Sequence, residues 1–225
     1  MFDLIIFNMY KHFIKRLLDI VLSLIALIVL SVPMIIVAII VLCDVGRPLF
    51  FGQHRIGKGN KEFKMWKFRS MTNERDENGV FLPDPDRITK FGSFIRKSSI
   101  DELPSLFNIL KGDMSIIGPR PLPTRYLKRY TEEQKRRHEV RPGLSCPSVV
   151  NGRNNQTWEA QFEGDIWYVE HVSFGVDLKS IIDTIKIVLT RKGATAADGD
   201  SRGEFIGIAS SEELEIDSEG NYMKL

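Results

Sequence analysis

At 225 residues the chain has room for one folded domain and one membrane segment. The formal net charge of +2 hides an asymmetry: residues 194–225 carry eight acids and two bases, a net of −6, which leaves the body at about +8. Two cysteines (Cys43, Cys146) and four histidines (His12, His54, His138, His171) without ligand spacing exclude a disulfide framework and a zinc site.

From Ile20 to Leu42 runs an uncharged apolar stretch broken by Ser31 and Pro33. At roughly 23 residues it is long enough to span a bilayer, and too long for a cleaved leader. Both flanks are basic, with Lys11, Lys15 and Arg16 before it and Arg47, Arg55, Lys58, Lys61, Lys64, Lys67 and Arg69 after it. Basic flanks favour the cytoplasm, so two basic ends fit a segment that enters and leaves by one face. Pro33 lacks an N–H and leaves the Val29 carbonyl without its helical partner. The Ser31 hydroxyl can bond back to a carbonyl one turn earlier and bend the helix. A spanning helix with a kink satisfies the same pattern. Arg16 and Asp19 stand one turn apart where the run begins.

Leu49–Phe51 and Phe63–Phe68 read as strands, joined through Gly57, Gly59 and Asn60 into a hairpin. Gly57-Lys-Gly-Asn-Lys61 lacks P-loop spacing and is a basic turn. Thr72–Asp86 is polar loop. Arg87–Lys97 puts Ile88, Phe91 and Ile95 on one helical face. A helix from Ser99 to Lys111 would bury Leu103, Leu106, Phe107 and Leu110 and stop at Gly112. Pro119 and Pro121 fence Arg120. Thr131–Val140 reads as a solvated helix with Glu132–Arg136 and Glu133–Arg137 pairs. Arg141–Asn155 is a loop. Val176–Arg191 is a helix whose apolar stripe is Leu178, Ile181, Ile182, Ile185, Val188 and Leu189. The acidic tail, poor in large apolar residues, is expected to be mobile.

Asp101 and Glu102 are the residues most able to carry chemistry, and they have two readings. Ser99-Ile-Asp-Glu102 fits a capping box, with Ser99 as N-cap, although Pro104 sits awkwardly inside that helix. Alternatively one carboxylate attacks while the other holds a metal or orients a hydroxyl, since adjacent helical residues point in different directions. Cations stand in neighbouring elements: Lys67, Arg69, Arg96, Arg120, Arg141 and Arg153. Arg120, its backbone fixed by two prolines, suits bidentate phosphate binding. Asn151-Gly-Arg-Asn154 is a polar turn able to reach a nucleotide, or simply a turn.

Together the motifs resemble the bacterial monotopic phosphoglycosyl transferases, or polyprenyl-phosphate sugar-phosphate transferases. The matching segments are Arg16-Leu-Leu-Asp19, Phe63-Lys-Met-Trp-Lys-Phe-Arg-Ser-Met71, Ile100-Asp-Glu-Leu-Pro104 and Phe107-Asn-Ile-Leu-Lys-Gly-Asp-Met-Ser115, then Gly118-Pro-Arg-Pro121, Arg141-Pro-Gly143 and Asn151-Gly-Arg153. The likeness implies that Asp101 attacks the β-phosphate of a UDP-sugar and releases UMP. A polyprenyl phosphate, typically undecaprenyl phosphate, then takes the sugar-phosphate. It also implies Mg²⁺ held at Asp101 and Glu102, substrate phosphates met by Lys67, Arg96, Arg120 and Arg153, and a re-entrant helix broken at Ser31 and Pro33. An ordinary carboxylate is already ionised at neutral pH and needs no base.

The expected fold is α+β and mostly helical: a compact cytosolic domain with a small β-hairpin and an N-terminal re-entrant membrane helix. The expected division is residues 1–46 in the membrane, 47–193 catalytic and 194–225 as tail. The expected location is the cytoplasmic face of the bacterial inner membrane, in contact with phospholipid. Two departures from the family pattern stand out: Ser31-Val-Pro33 replaces an adjacent Ser-Pro, and Leu144-Ser-Cys-Pro-Ser-Val149 lacks the usual Trp and Gln. The rival readings are a non-catalytic membrane adaptor with a basic surface, and a nucleic-acid-binding domain, for which no recognition helix or aromatic platform speaks.

Overall fold

The structure is a computed structural model and describes residues 9–147, 157–190, 204–207, 214–216 and 222–224. The chain is mostly helical with small two-stranded sheets, as expected. It divides into two units, residues 1–53 with 64–116, and residues 54–63 with 117–225.

The first unit begins with a π-helical turn, Tyr10–Ile14, that runs into α1 (Lys15–Val29) and, after Leu30, α2 (Ser31–Asp44). The two arms bend by 62°. The break falls at Leu30 (φ −90°, ψ 2°), just ahead of the expected pair. Pro33 lies in the first turn of α2, where a missing N–H does little harm. The Ser31 hydroxyl donates to the Ile28 carbonyl at 2.8 Å, the back-bond expected of it. Among the described residues no single helix is long and apolar enough to cross a membrane; the bent pair passes that test together. Leu17, Leu24, Ile28, Val32, Ile35 and Ile39 are all exposed along the two arms.

The polar side of α1 is turned inward, where Asp19 and Ser23 are buried. Arg16 donates to the Ile109 and Leu110 carbonyls at 2.6 and 2.8 Å, at the C-terminal end of α5 (Leu106–Lys111). Carbonyls at a helix C-terminus carry the negative end of the dipole. Asp19 Oδ1 accepts from Ser115 Oγ at 2.9 Å and from the Ile116 amide at 3.0 Å, on β3 (Ser115–Ile117). The Arg-Leu-Leu-Asp motif is therefore the fastening of the bent pair to its own unit. Val41 and Val45 pack with Phe68 and Ile95, and Met34, Val37, Leu49, Phe91 and Leu103 close the cluster.

The hairpin pairs β1 (Phe50–Ile56) with β2 (Glu62–Phe68), longer than expected at the β1 end. Its turn, Lys58–Asn60, places Gly59 and Asn60 at φ 66° and 61°, a left-handed pair that glycine and asparagine tolerate best. Phe63 and Met65 alternate inward along β2. The Thr72–Asp86 loop ends in a single turn, α3 (Asp84–Arg87). Thr89 then caps α4 (Lys90–Lys97) by accepting the Gly92 amide at 2.8 Å, and Ile95 is buried as expected.

The second unit has an aromatic core of Tyr126, Tyr130, Phe162 and Phe205 with Ile56 and Leu122. Gly118 and Gly143 touch backbone to backbone: a Cβ on Gly143 would lie 2.1 Å from the Gly118 nitrogen. This close approach lets the Gly118 amide reach the Ser145 carbonyl on β4 (Gly143–Ser145) and the Gly143 amide reach the Pro119 carbonyl.

Several features of this unit differ from what the sequence suggests. Thr131–Val140 is one α-turn, α6 (Glu132–Lys135), followed by a 3-10 turn, and it is not uniformly solvated. Arg136 holds Glu133, Glu139 and Glu170 at the surface, whereas Arg137 is buried and pairs with Asp165 at 2.6 Å rather than with Glu133. Helix α7 (Trp158–Glu170) was not foreseen. On α8 (Phe174–Thr190), Leu178, Ile182 and Ile185 of the apolar stripe are exposed, at 44%, 43% and 52%, while Ile181 is half-buried. Its buried side holds Asp177, which accepts from the Tyr168 hydroxyl, and Ser180; Thr184 meets Ser145 at 2.6 Å. Among the described residues of the tail, Phe205 is in the core, and β5 (Leu214–Ile216) pairs antiparallel with β6 (Tyr222–Lys224).

Candidate active site

Asp101 and Glu102 stand on a 3-10 helix, Ile100–Ser105, wedged between α4 and α5. The single helix expected from Ser99 is thus split, with α-helix only from Leu106. Pro104 explains the split, because its ring and missing N–H disfavour an interior α-helical position. Ser98 closes α4, its hydroxyl on the Phe94 carbonyl at 2.8 Å. Ser99 then takes φ 58°, ψ 17°, a left-handed conformation unusual for a serine.

That turn removes the capping box. Ser99 makes no side-chain cap bond, and Glu102 instead accepts from Lys67 Nζ at 2.7 Å. Both partners are mostly shielded, with side chains 17% and 18% exposed. A shielded pair is less screened than a surface one. Asp101 is 8% exposed, and its carboxyl is pushed up to about 6. Burial is the main cause; Lys67 opposes it, Glu102 adds to it, and Arg96 and the residue's own backbone N–H oppose it. The expectation of an ordinary aspartate is therefore corrected. A carboxyl near 6 is still about ten parts ionised to one at neutral pH, and it is a better-matched nucleophile than one near 4.

Asn108 sets the spacing. It is buried in α5 and accepts the Trp66 amide at 3.1 Å while donating to the Lys64 carbonyl at 2.8 Å and to Asp113 at 3.1 Å. These bonds hold β2 against α5 and so bring Lys67 to Glu102. Sequence reading gave Asn108 no role, although an amide inside an apolar helical stripe was a readable signal.

Of the expected site residues, Asp101, Glu102, Lys67 and Arg96 belong to the first unit and act on one another there. Arg96 is exposed in the last turn of α4. Arg120 belongs to the second unit, where its side chain is exposed and its carbonyl accepts from Arg137 at 2.8 Å. Arg153, the Asn151–Asn154 turn and the end of the divergent loop lie outside the described residues. Arg69 is buried and spends its donors on the Arg47 and Met71 carbonyls, at 2.6 and 2.9 Å. It is a brace, not a surface cation. No group of three or more His, Cys, Asp or Glu side chains converges among the described residues.

The family model described as bacterial sugar transferase matches residues 10–191. The chain is 46% identical over 194 residues to the uncharacterized sugar transferase EpsL of Bacillus subtilis, covering 86% of this chain and 96% of that one. It is 40% identical over 190 residues to the UDP-N-acetylgalactosamine-undecaprenyl-phosphate N-acetylgalactosaminephosphotransferase of Aeromonas hydrophila, covering 81% of this chain and 45% of that one. It is 38% identical over 201 residues to the undecaprenyl-phosphate galactose phosphotransferase of Salmonella typhimurium, covering 82% and 42%. The chain thus spans nearly all of the Bacillus relative and under half the length of the other two. A match over most of the chain, with the Asp101–Glu102 pair inside it, means that this protein belongs to the bacterial sugar transferase family and is a transferase enzyme.

Proposed function

We propose that this transferase moves a sugar-1-phosphate from a UDP-sugar to undecaprenyl phosphate, through a covalent intermediate on Asp101. A carboxylate oxygen of Asp101 attacks the β-phosphorus, the phosphoanhydride bond breaks, and UMP departs with the electron pair. In the second step an oxygen of the lipid phosphate attacks the same phosphorus and returns the carboxylate. One phosphoanhydride is exchanged for another, so no outside energy source is needed. The bond between the sugar and its phosphate is never touched, and the anomeric configuration carries through.

One observation carries this reading: a buried aspartate near 6 beside a lysine-held glutamate and within the field of an arginine. Its burial keeps water off the acyl phosphate, while Lys67 and Arg96 offset the charge of an incoming diphosphate. Mg²⁺ is the proposed cofactor. Two adjacent carboxylates, Asp101 and Glu102, suit an ion that takes one or two protein carboxylates and completes its shell with phosphate and water. When bound, it supplies further neutralising charge on the diphosphate.

The bent α1–α2 pair is proposed to dip into the cytoplasmic leaflet of the inner membrane and return. Its exposed aliphatic side chains would meet phospholipid, and its basic flanks would stay in the cytoplasm. Such a seat keeps Asp101 near the headgroup plane, within reach of a lipid phosphate. Screening UMP release over a panel of UDP-sugars with undecaprenyl phosphate and Mg²⁺ tests the proposal. Lipid-dependent release with at least one sugar is expected. Release with none, from folded protein in lipid, would favour the adaptor reading.

A further inference from the structure

Residues 204–207 lie beyond the family match, which ends at 191, yet they are held by the second unit as a ligand is held. Phe205 is 3% exposed in a socket of Tyr126, Tyr130, Trp158 and Phe162, with ring centroids 5.7, 5.7, 5.5 and 5.0 Å away. Its amide donates to the Tyr126 hydroxyl at 3.3 Å and its carbonyl accepts from Arg129 at 2.7 Å. Glu204 accepts from Arg125 at 2.7 Å and from Arg129 at 2.8 Å. Gly207 takes φ 93° beside the Arg129 backbone.

The socket reads an acid by two guanidinium groups, the next side chain by an aromatic box, and the main chain between them by two hydrogen bonds. Short peptide motifs are recognised in this way. The socket walls also support each other without the occupant: Tyr126 packs on Trp158 at 5.6 Å, Tyr130 on Phe162 at 5.5 Å, and Trp158 on Phe162 at 5.9 Å. Walls that already touch one another can keep their packing when the Glu204-Phe205 side chains leave them.

We propose that this socket is a peptide-docking site for an acidic residue followed by an aromatic one, and that Glu204-Phe205 is its exchangeable ligand in cis. The chain's own segment plugs the site, and its release offers the socket to a partner segment of the same chemistry.

The test uses the full-length chain in detergent or nanodiscs and a labelled peptide of residues 201–210. The wild type should bind the peptide weakly, because the socket is filled at high effective concentration. Phe205→Ala should bind it saturably and at least ten-fold more tightly. Peptides carrying the same Phe→Ala or Glu→Arg change should not bind. Glu204→Arg keeps the aromatic residue but sets a cation against Arg125 and Arg129. It should also gain peptide binding, and its Phe205 amide should exchange at least ten-fold faster. Equal binding to wild type and both variants would put the peptide elsewhere and overturn the proposal. So would folded variants that bind no peptide, or the unfolding of both variants, since Glu204-Phe205 would then be a fixed piece of the core.

Discussion

Asp101→Asn should abolish transfer and at the same time make the protein more stable. The buried carboxyl sits near 6 in the folded chain against an ordinary 3.8, mainly because burial disfavours its charge. For an acid raised on folding, the native state holds its proton longer than the unfolded chain does. Its stabilising effect is therefore complete below about pH 4 and is lost as the pH climbs through 6. At pH 7 the ionised side chain costs about 3 kcal/mol relative to its protonated form. Asparagine carries no charge and avoids that cost. Its gain over wild type should approach about 3 kcal/mol at pH 7, fall to roughly half at pH 5, and vanish towards pH 4. For a chain of this size that is several degrees in melting temperature at pH 7, at the usual ~2–4 °C per kcal/mol. The assay is paired thermal unfolding of wild type and variant in one detergent at pH 7 and pH 5, with UMP release measured in parallel. A variant no more stable than wild type at pH 7, or a gain that ignores pH, would refute the burial argument. Retained turnover would refute the assignment of the nucleophile.

Three further changes separate the parts. Lys67→Met removes the main group opposing the rise of Asp101, so the acid limb of single-turnover UMP release should move to higher pH by about one pH unit, with lower rates throughout. An unmoved acid limb would show that Lys67 does not act on Asp101. Glu102→Gln should cut transfer by at least about a hundred-fold, the scale of a lost catalytic electrostatic contact, with the circular dichroism spectrum unchanged. Near-normal activity would return Glu102 to a purely structural role. Asp19→Ala leaves the Ser115 hydroxyl and Ile116 amide without their acceptor and should destabilise the first unit by about 2–4 kcal/mol, read as earlier unfolding and protease cleavage near residue 116. A wild-type melting curve would deny that Asp19 is the fastening.

The sequence was most legible where local rules decide. The Gly57–Asn60 turn, the strands around it, Ile95 on α4 and the helix stop at Gly112 follow from turn chemistry and period alone. Asp101 and Glu102 could be singled out, but choosing between cap and chemistry needed the Ser99 backbone, which no pattern gives. Arg137 looked like one more surface charge, because its partner Asp165 lies 28 residues away on a helix that periodicity did not reveal. That helix has Gly164 in its middle and buries an aspartate among its apolar residues, so no clean stripe marks it. On α8 the apolar stripe was real but misled. The small polar side of Asp177, Ser180 and Thr184 packs against Tyr168 and Ser145, and Leu178, Ile182 and Ile185 are left outside. Phe205 was invisible for the opposite reason: one aromatic residue in an acidic stretch carries no period at all.

The central claim is that Asp101 becomes esterified to a phosphosugar. Incubating the protein with a competent UDP-sugar and Mg²⁺ but no lipid acceptor, then quenching and mapping by peptide mass spectrometry, tests it directly. The account predicts one sugar-phosphate on the peptide containing Asp101, lost on adding undecaprenyl phosphate and absent from Asp101→Asn. An adduct on a different side chain, or none under conditions that support turnover, would contradict it.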